Sequence, residues 1–167
     1  MKIALCGYLG SGCTEVSEIL AARFALESYN TSSIIGSLRD FGSLSASGEI
    51  DFDMVVGNRL DGILKRDNIV VEGRSAFMLL DREDMVKVFL DAPFEERVAH
   101  VAQRRGIPAE KARDDVKRSD EDRNQLMQRF LGKNALDVTN YDLSIKTSGK
   151  TYSKVAEAVA YVIESAL

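Results

Sequence analysis

Three glycines near the start of the chain have the spacing of a loop that binds phosphate. The stretch GYLGSGCT follows a short apolar run, KIAL, and its glycines are Gly7, Gly10 and Gly12. Glycine allows the backbone to adopt positive φ and to approach a ligand closely. The spacing is that of the motif G-x-x-x-x-G-K-[ST], with Cys13 in the position of the lysine and Thr14 in the position of the hydroxyl residue. The stretch therefore predicts a phosphate cradle that lacks one cation.

Several groups of this loop are expected to contribute to phosphate binding. We expect Ser11 and the main-chain amides from Gly10 to Thr14 to face the ligand, at the positive end of the helix that begins near Gly12. The hydroxyl of Thr14 is placed to ligate Mg²⁺. The alternative is a glycine-rich turn between a strand and a helix that binds no ligand. Three glycines at this spacing favour the cradle over the plain turn.

Cys13 changes the chemistry that the loop can support. Loss of the lysine removes a fixed positive charge beside the β- and γ-phosphates, although the backbone cradle and the helix dipole remain. Losing one well-placed donor costs about 3–4 kcal/mol of transition-state stabilisation unless another group, such as an arginine, replaces it. A helix N-terminus lowers the pKa of a thiol, but a thiolate repels polyphosphate, so we expect a neutral Cys13 thiol beside bound nucleotide. A redox-sensing cysteine is the alternative.

Arginines elsewhere in the chain are candidates for that replacement. Arg74 follows a buried apolar run, and the charged segment RSDEDRNQLMQRF contains Arg118, Arg123 and Arg129 with Asp122 among them. Guanidinium groups bind phosphate oxygens in a bidentate geometry. A single surface arginine is usually only solvated, but several near a phosphate loop predict a clamp for a polyphosphate and for a second phosphate group.

The surrounding pattern predicts the elements that must position these groups. Short apolar runs alternate with segments of helical periodicity, which is typical of βαβ units and of a parallel sheet covered on both faces. The predicted strands are 1–6, 32–35, 68–73, 85–92 and 141–148, and the predicted helices are 12–27, 51–66, 93–106, 151–167 and one or two more within 108–131. Ligands of such sheets bind at the carboxyl ends of the strands. We therefore expect Gly7, Glu72 and Asp91 at one edge of the sheet.

Composition limits the class of protein. The chain has 167 residues and a net charge of −4, which suggests one compact domain without a broad basic surface for nucleic acid. Cys6 and Cys13 are the only cysteines and His100 is the only histidine, so neither a disulfide framework nor a metal cluster of these residues is expected. No apolar run approaches the ~20 residues of a membrane span, and we expect no signal peptide. The expectation is a cytoplasmic protein without membrane or nucleic-acid partners; the sequence indicates no particular oligomeric state.

Five segments together carry a resemblance to a known family. In chain order they are GYLGSG, NIVVEGRSAF, VKVFLDAPFEERVAHV, RSDEDRNQLMQRF and YDLSIKTS. They resemble the cytidylate kinases and cytidylate-kinase-like proteins among the P-loop nucleoside monophosphate kinases, and they span most of the chain, with a looser match over 28–66. The resemblance implies a three-layer α/β P-loop NTPase fold: a five-stranded parallel sheet with helices on both faces and a short arginine-bearing lid. It implies one domain over 1–167, an acceptor-binding segment at about 33–66 and a lid at about 107–133.

The same resemblance implies an activity and small-molecule nucleotide partners. Cytidylate kinases transfer the γ-phosphoryl group of ATP, bound with Mg²⁺, to CMP or dCMP. The residues that would hold ATP are Gly7, Gly10, Ser11, Gly12, Cys13 and Thr14. Arg74 corresponds to the arginine that holds the acceptor phosphate, and Arg39 and Ser33 are implied acceptor contacts.

The lid has its own pattern in this family. Arg118, Asp122 and Arg123 match its R-x-x-x-D-R spacing. The resemblance implies that the arginines act on the transferring phosphates and that Asp122 orients an arginine or contacts the acceptor sugar. Gln125 stands where a further lid arginine is common, and Arg129 follows one helical turn later as a third candidate.

The sequence leaves open the role of one residue, Glu72, and two alternative functions. Glu72, at a strand end, is a candidate for holding Mg²⁺ through water, with a helix cap or a salt bridge to Arg74 or Arg97 as the alternative. Cys13 and Gln125 depart from the family pattern, which favours a second hypothesis, a nucleotide-binding protein that no longer transfers phosphate. A third hypothesis is a kinase for a different small acceptor, since related kinases phosphorylate quite different groups.

Overall fold

The computed structural model describes residues 1–36 and 52–166. Its strands are β1 (Lys2–Gly7), β2 (Glu27–Tyr29), β3 (Ile69–Glu72), β4 (Val86–Asp91) and β5 (Leu143–Lys146). Its helices are α1 (Cys13–Phe24), α2 (Thr31–Gly36), α3 (Phe52–Ile63), α4 (Phe94–Arg105), α5 (Ala109–Leu131) and α6 (Tyr152–Ala166). Short 3₁₀ segments, Gly73–Leu79 and Val138–Asn140, follow β3 and precede β5.

The five strands form one parallel sheet in the order β2-β3-β1-β4-β5. At its centre, Leu5 of β1 is in register with Glu72 of β3, and Gly7 is in register with Leu90 of β4. The central strands are apolar over almost their whole length because both faces of the sheet are covered. The predicted five-stranded parallel sheet is confirmed, and its carboxyl edge brings the glycine loop next to Glu72.

Helices cover the two faces of the sheet with separate apolar clusters. On one face, Val16 of α1 and Val155 of α6 belong to one cluster with residues of β1, β3 and β4. On the other face, Leu60 of α3, Phe77 of the first 3₁₀ segment and Met127 of α5 belong to a second cluster. The sheet is therefore the middle one of three layers, as expected.

Helix α5 accounts for most of the segment expected to form a lid. It runs unbroken for 23 residues, from Ala109 to Leu131, and is followed by Gly132, whose φ is 61°. Val98 and Val101 of α4 pack against its first turns. Neither α5 nor any other helix within the described residues has the length and apolar character needed to cross a membrane.

The predicted second strand at 32–35 is wrong. These residues lie in α2, and the edge strand β2 comes earlier, at Glu27–Tyr29. The reason is a reciprocal cap: the Ser33 amide donates to Asn30 Oδ1 at 2.8 Å, and the Asn30 amide donates to Ser33 Oγ at 3.0 Å. Such a capping box satisfies amides at the start of a helix. It outweighs the strand preference of the two isoleucines in SSII.

Candidate active site

The loop between β1 and α1 requires glycine at two positions. Gly10 and Gly12 have φ of 85° and 90°. A Cβ at Gly10 would lie 2.6 Å from the carbonyl oxygen of Arg97, and a Cβ at Gly12 would lie 2.3 Å from the ring of Tyr152. Both positions therefore exclude a side chain by backbone conformation and by lack of space. The loop is held closely against α4 and α6.

The main-chain amides at the start of α1 provide an anion-binding end. The first helical hydrogen bond runs from the Val16 amide to the Gly12 carbonyl, at 2.9 Å. The amides of residues 13–15 precede that bond, so they have no acceptor within the helix, and they lie at its positive end. The Ser11 amide, which we expected to face the ligand too, instead donates to the Tyr8 carbonyl at 3.1 Å and closes a turn.

Cys13 is a buried, neutral thiol. Its Sγ lies 3.5 Å from Ser11 Oγ, and a Cβ at Gly7 would lie only 2.7 Å from that Sγ. Burial raises the pKa of Cys13 to about 12, and the hydrogen bond to Ser11 offsets only part of this effect. Desolvation therefore outweighs the acidifying field of the helix N-terminus. A protonated, buried thiol lacks the thiolate character that redox-sensing cysteines use.

Thr14 and Glu72, the two residues considered for metal binding, are in direct contact. The Thr14 hydroxyl donates to Glu72 Oε1 at 3.1 Å. Glu72 is buried, and burial raises the pKa of its carboxyl group. The helix cap and the salt bridges to Arg74 or Arg97, considered as alternatives for Glu72, are not formed.

The donor set at this contact fits Mg²⁺ only in part. Hydroxyl and carboxylate oxygens are suitable Mg²⁺ ligands, and Mg²⁺ commonly uses one or two of them together with substrate phosphates. Within residues 1–36 and 52–166, no group of three or more His, Cys, Asp or Glu side chains is arranged to hold a metal ion. The protein would therefore hold the ion jointly with the phosphates of a nucleotide.

A cleft of about 540 Å³ opens beside the loop, between the carboxyl end of β3, α2, α4 and α5. The predicted site residues that line it are Gly10, Thr14, Glu72, Arg74, Arg118, Asp122 and Arg123. A smaller cavity of about 60 Å³ lies within the loop itself. It is lined by residues 7–15 together with Glu72, Gly73, Arg104 and Arg123. The fold thus gathers a phosphate-loop cavity and a second basic region into one space.

Arg74 lies in this cleft and is held by two carboxylates. Its Nη2 donates to both oxygens of Asp53, at 2.8 and 3.1 Å, and its Nη1 lies 3.8 Å from Asp122 Oδ2. Asp53 belongs to α3 and Asp122 to α5. The arginine expected to hold the acceptor phosphate therefore connects helix α3 to helix α5.

Arg123 points from α5 toward the glycine loop. Its Nη1 donates to Ser119 Oγ, whereas its Nε is buried without a hydrogen-bond partner. Burial lowers the pKa of Arg123, and the charge of nearby Arg74 lowers it further. A cationic group with an unused, dehydrated N–H favours an anion at this place.

Comparisons with known proteins identify the family of this chain. A model described as the cytidylate kinase-like family matches residues 50–149, more than half of the chain. The chain belongs to the cytidylate kinase-like family. The match includes Arg74 and helix α5, and the glycine loop lies before it.

Curated cytidylate kinases are similar over most of the chain. The protein is 30% identical to a cytidylate kinase of Pyrococcus horikoshii, over 89% of this chain and 80% of that relative. It is 26% identical to a cytidylate kinase of Sulfolobus acidocaldarius, over 98% of this chain and 94% of the relative.

Solved structures show that this cytidylate-kinase-like protein has a P-loop kinase fold. An uncharacterized protein from Eubacterium ventriosum matches with a TM-score of 0.78 at 19% identity, over 99% of both chains. Shikimate kinase from Acinetobacter baumannii matches with a TM-score of 0.68 at 18% identity, over 98% of this chain and 93% of the other. Family and fold together support a phosphotransferase with a nucleoside monophosphate kinase-like role.

Some residues assigned from the family resemblance lie outside the cleft or outside the described residues. Ser33 caps α2 and does not line the cleft. Arg129 is exposed, with its guanidinium 5.2 Å from the ring of Phe130, and does not line the cleft either. Gln125 is also exposed and donates to Glu121. Arg39 falls outside the described residues.

Sequence patterns missed one buried charge of this family member. Arg97 is only 5% exposed. It donates to both oxygens of Asp120 and to the Leu9 and Ala92 carbonyls, and its guanidinium lies 5.3 Å from the ring of Tyr8. Burial is possible because every side of the guanidinium meets an acceptor or an aromatic face. The one available signal was helical spacing: Val116, Asp120, Arg123 and Met127 share the inner face of α5.

His100 is half-buried beside the loop. Its Nε2 lies 3.0 Å from Glu15 Oε1, and the Tyr152 hydroxyl lies 3.2 Å from its Nδ1. His100 also lines the cleft. The imidazole therefore joins α1, α4 and α6 at one side of the phosphate loop.

Proposed function

We propose that this protein transfers the γ-phosphoryl group of ATP to CMP or dCMP. The observation that carries the proposal is that the start of helix α1 and several arginines line one cleft. The amide end of α1 lies on one side, Arg74 lies on the other, and Arg118 and Arg123 line the space with them. Family membership supports this assignment, because the curated relatives are cytidylate kinases.

The glycine loop has the groups to hold the donor. The residues we assign to ATP are Gly7, Gly10, Ser11, Gly12, Cys13 and Thr14, with Ser11 acting as a buried support for the turn. Thr14 and Glu72 would hold Mg²⁺ together with the nucleotide phosphates. When bound, the ion neutralises charge that develops on the phosphoryl oxygens.

Arg74 has the position to hold the acceptor phosphate. Its carboxylate partners, Asp53 and Asp122, present oxygens to the guanidinium in the way that a phosphate would. An acceptor phosphate must therefore compete with Asp53 for Arg74. We assign Arg39 and Ser33, within the acceptor segment 33–66, to the same substrate on the basis of family resemblance.

Transfer needs positioning more than acid–base chemistry. An oxygen of the acceptor phosphate forms a bond to the γ-phosphorus, and the bond from that phosphorus to the β–γ bridging oxygen breaks, which releases ADP. The attacking oxygen is already anionic near neutral pH, so no general base is required. Arg118 and Arg123 would stabilise the transferring group and, with the rest of the lid at 107–133, exclude water. We assign Arg129 to the lid on resemblance alone.

A paired assay tests the proposal. ADP formation is followed with ATP, Mg²⁺ and a panel of acceptors that includes CMP, dCMP, UMP, AMP, GMP and shikimate, while calorimetry measures ATP binding separately. We expect phosphorylation of CMP or dCMP above all other acceptors. Efficient transfer to a different acceptor would overturn the CMP assignment and leave the kinase assignment in place. We further propose that the protein acts in the cytoplasm on free nucleotides.

A nucleotide-binding protein without transfer is the second candidate. Two observations favour it: Cys13 provides no charge at the lysine position, and Gln125 faces solvent instead of the cleft. The paired assay distinguishes this candidate from an active kinase. ATP binds with measurable heat, and no acceptor in the panel increases ADP formation over the rate with water alone.

A further inference from the structure

The side chain at position 13 lines the cavity of the glycine loop. Gly7 and Cys13 both line this 60 Å³ cavity, and Cys13 Sγ packs against Gly7, where a Cβ would approach it to 2.7 Å. Cys13 is short and supplies no cation at the position where the loop motif has a lysine. The cavity therefore lacks the positive charge that a lysine would provide.

A cation from another element lines the same cavity. Of the arginines that the structure describes, Arg104 and Arg123 line it. Arg104 is an exposed residue at the end of α4. Arg123 is half-buried on α5, and its Nε is fully enclosed and makes no hydrogen bond. Arg123 is thus the better placed of the two to act on an anion inside the cavity.

Two contacts fix α5 to the loop on either side of Arg123. Asp120, three residues before it, binds Arg97 with two hydrogen bonds of 2.8 Å each, and Arg97 also donates to the Leu9 carbonyl within the loop. Asn124, the next residue, accepts a hydrogen bond of 2.6 Å from the Tyr8 hydroxyl. Both contacts are made by groups of the protein itself. They place the Arg123 side chain at the cavity.

We propose that Arg123 replaces the phosphate-loop lysine as a permanent cation at the loop, held there by the Arg97–Asp120 and Tyr8–Asn124 contacts. The proposal rests on the proposed function, since it assumes a polyphosphate in the loop. It assigns Arg123 to the donor phosphates in the ground state. A lid arginine that acts only during transfer would contribute little to the affinity for a polyphosphate. In this exchange, Arg123 supplies the positive charge at the loop that Cys13, in the lysine position, does not.

Binding of inorganic tripolyphosphate and of ADP, measured by calorimetry without an acceptor, tests this exchange. We expect Arg123→Gln to lower both affinities by roughly 10- to 100-fold, which is typical for loss of a charged hydrogen bond. Adding Cys13→Lys to that variant should recover at least about a tenfold share of the loss, since the lysine enters the same cavity. Arg123→Met provides the same comparison if the glutamine variant is poorly folded, and circular dichroism checks each variant.

Arg104→Gln is the matched control. Any loss of affinity that it causes should persist when Cys13→Lys is added, because Arg104 does not take the lysine's place. Unchanged affinity in folded Arg123→Gln, or no recovery by Cys13→Lys, would overturn the inference while the wild-type protein still bound nucleotide. Absence of ADP and tripolyphosphate binding by the wild-type protein is a different result, and it would overturn the proposed function itself.

Discussion

The Arg97 guanidinium and the Asp120 carboxylate form a doubly hydrogen-bonded pair, with both bonds at 2.8 Å. The pair is almost dehydrated on the arginine side, where the side chain is 6% exposed, against 21% for Asp120. Arg97 also holds the Leu9 carbonyl. One side chain thereby links helix α4, helix α5 and the glycine loop.

Removing Asp120 should destabilise the fold. Asp120→Ala leaves the Arg97 charge buried without its partner, and we expect a loss of about 3–5 kcal/mol in the free energy of unfolding. Urea denaturation measures it. Glu95→Ala is the control, because it breaks the exposed Arg113–Glu95 pair and should leave the midpoint nearly unchanged. Equal effects of the two substitutions would contradict the buried pair.

Arg74→Ala should separate acceptor use from donor binding. Loss of its charged hydrogen bonds should raise the acceptor KM by roughly 10- to 100-fold. The KM for ATP should change by less than about threefold, since Arg74 does not line the cavity within the glycine loop. Steady-state kinetics with each substrate varied in turn measures both. Arg66→Ala, which removes surface contacts with Glu27 and Tyr29, serves as the control; parallel losses for ATP and acceptor in Arg74→Ala would show that Arg74 is wrongly assigned.

Gly12→Ala should disrupt the loop. The alanine would have to keep a φ near 90°, and its Cβ would lie 2.3 Å from the Tyr152 ring. We expect the free energy of unfolding to fall by at least about 2 kcal/mol. We also expect weaker binding of nucleotide. Gly62→Ala is the matched control, because it lies in α3 with no atom within 4 Å of the added Cβ, and it should stabilise the fold by up to about 1 kcal/mol. Thermal unfolding measures the stability of both variants. An unchanged stability in Gly12→Ala would contradict the close packing of the loop.

The buried thiol of Cys13 should make stability depend on alkaline pH. Its pKa is raised from 9.0 to about 12 in the folded protein, so both states are protonated below pH 9 and only the unfolded chain ionises just above it. The first unit, from pH 9 to pH 10, then costs about 1 kcal/mol of unfolding free energy from this group, and the slope approaches about 1.4 kcal/mol per pH unit above that. Urea unfolding between pH 7 and pH 10 should show the decline, with a shallower slope in Cys13→Ala because Cys6 remains. Identical slopes would indicate an exposed Cys13.

Features with a local cause were predictable from the sequence. The glycine loop follows from the spacing of Gly7, Gly10 and Gly12, and β3 follows from an unbroken apolar run. Each depends on neighbours in the chain, so the pattern contains the information. Family resemblance singled out Arg118 and Arg123, and both line the cleft, where the inner face of α5 brings Arg123 to the loop.

Features that depend on tertiary contacts were not predictable. Arg97 looks like any charge in the first turn of a helix, and its burial depends on Asp120, 23 residues further along the chain. The Arg74–Asp53 pair likewise joins two elements with no shared pattern. The error at 32–35 has the opposite origin, since a short-range cap between Asn30 and Ser33 prevailed over strand propensity.

The attachment of α5 has a mechanical consequence. Helix α5 is held at Asp120 by Arg97 of α4 and at Asn124 by Tyr8 of the loop, one turn apart, about 17 Å from its first residue and about 11 Å from its last. A tilt of α5 about these two contacts would move its two ends in opposite directions. Ala112 and Val116, on the longer side, pack against α4, and Leu126 and Met127, on the shorter side, lie in the apolar interior, so such a tilt would disturb packing at both ends of the helix.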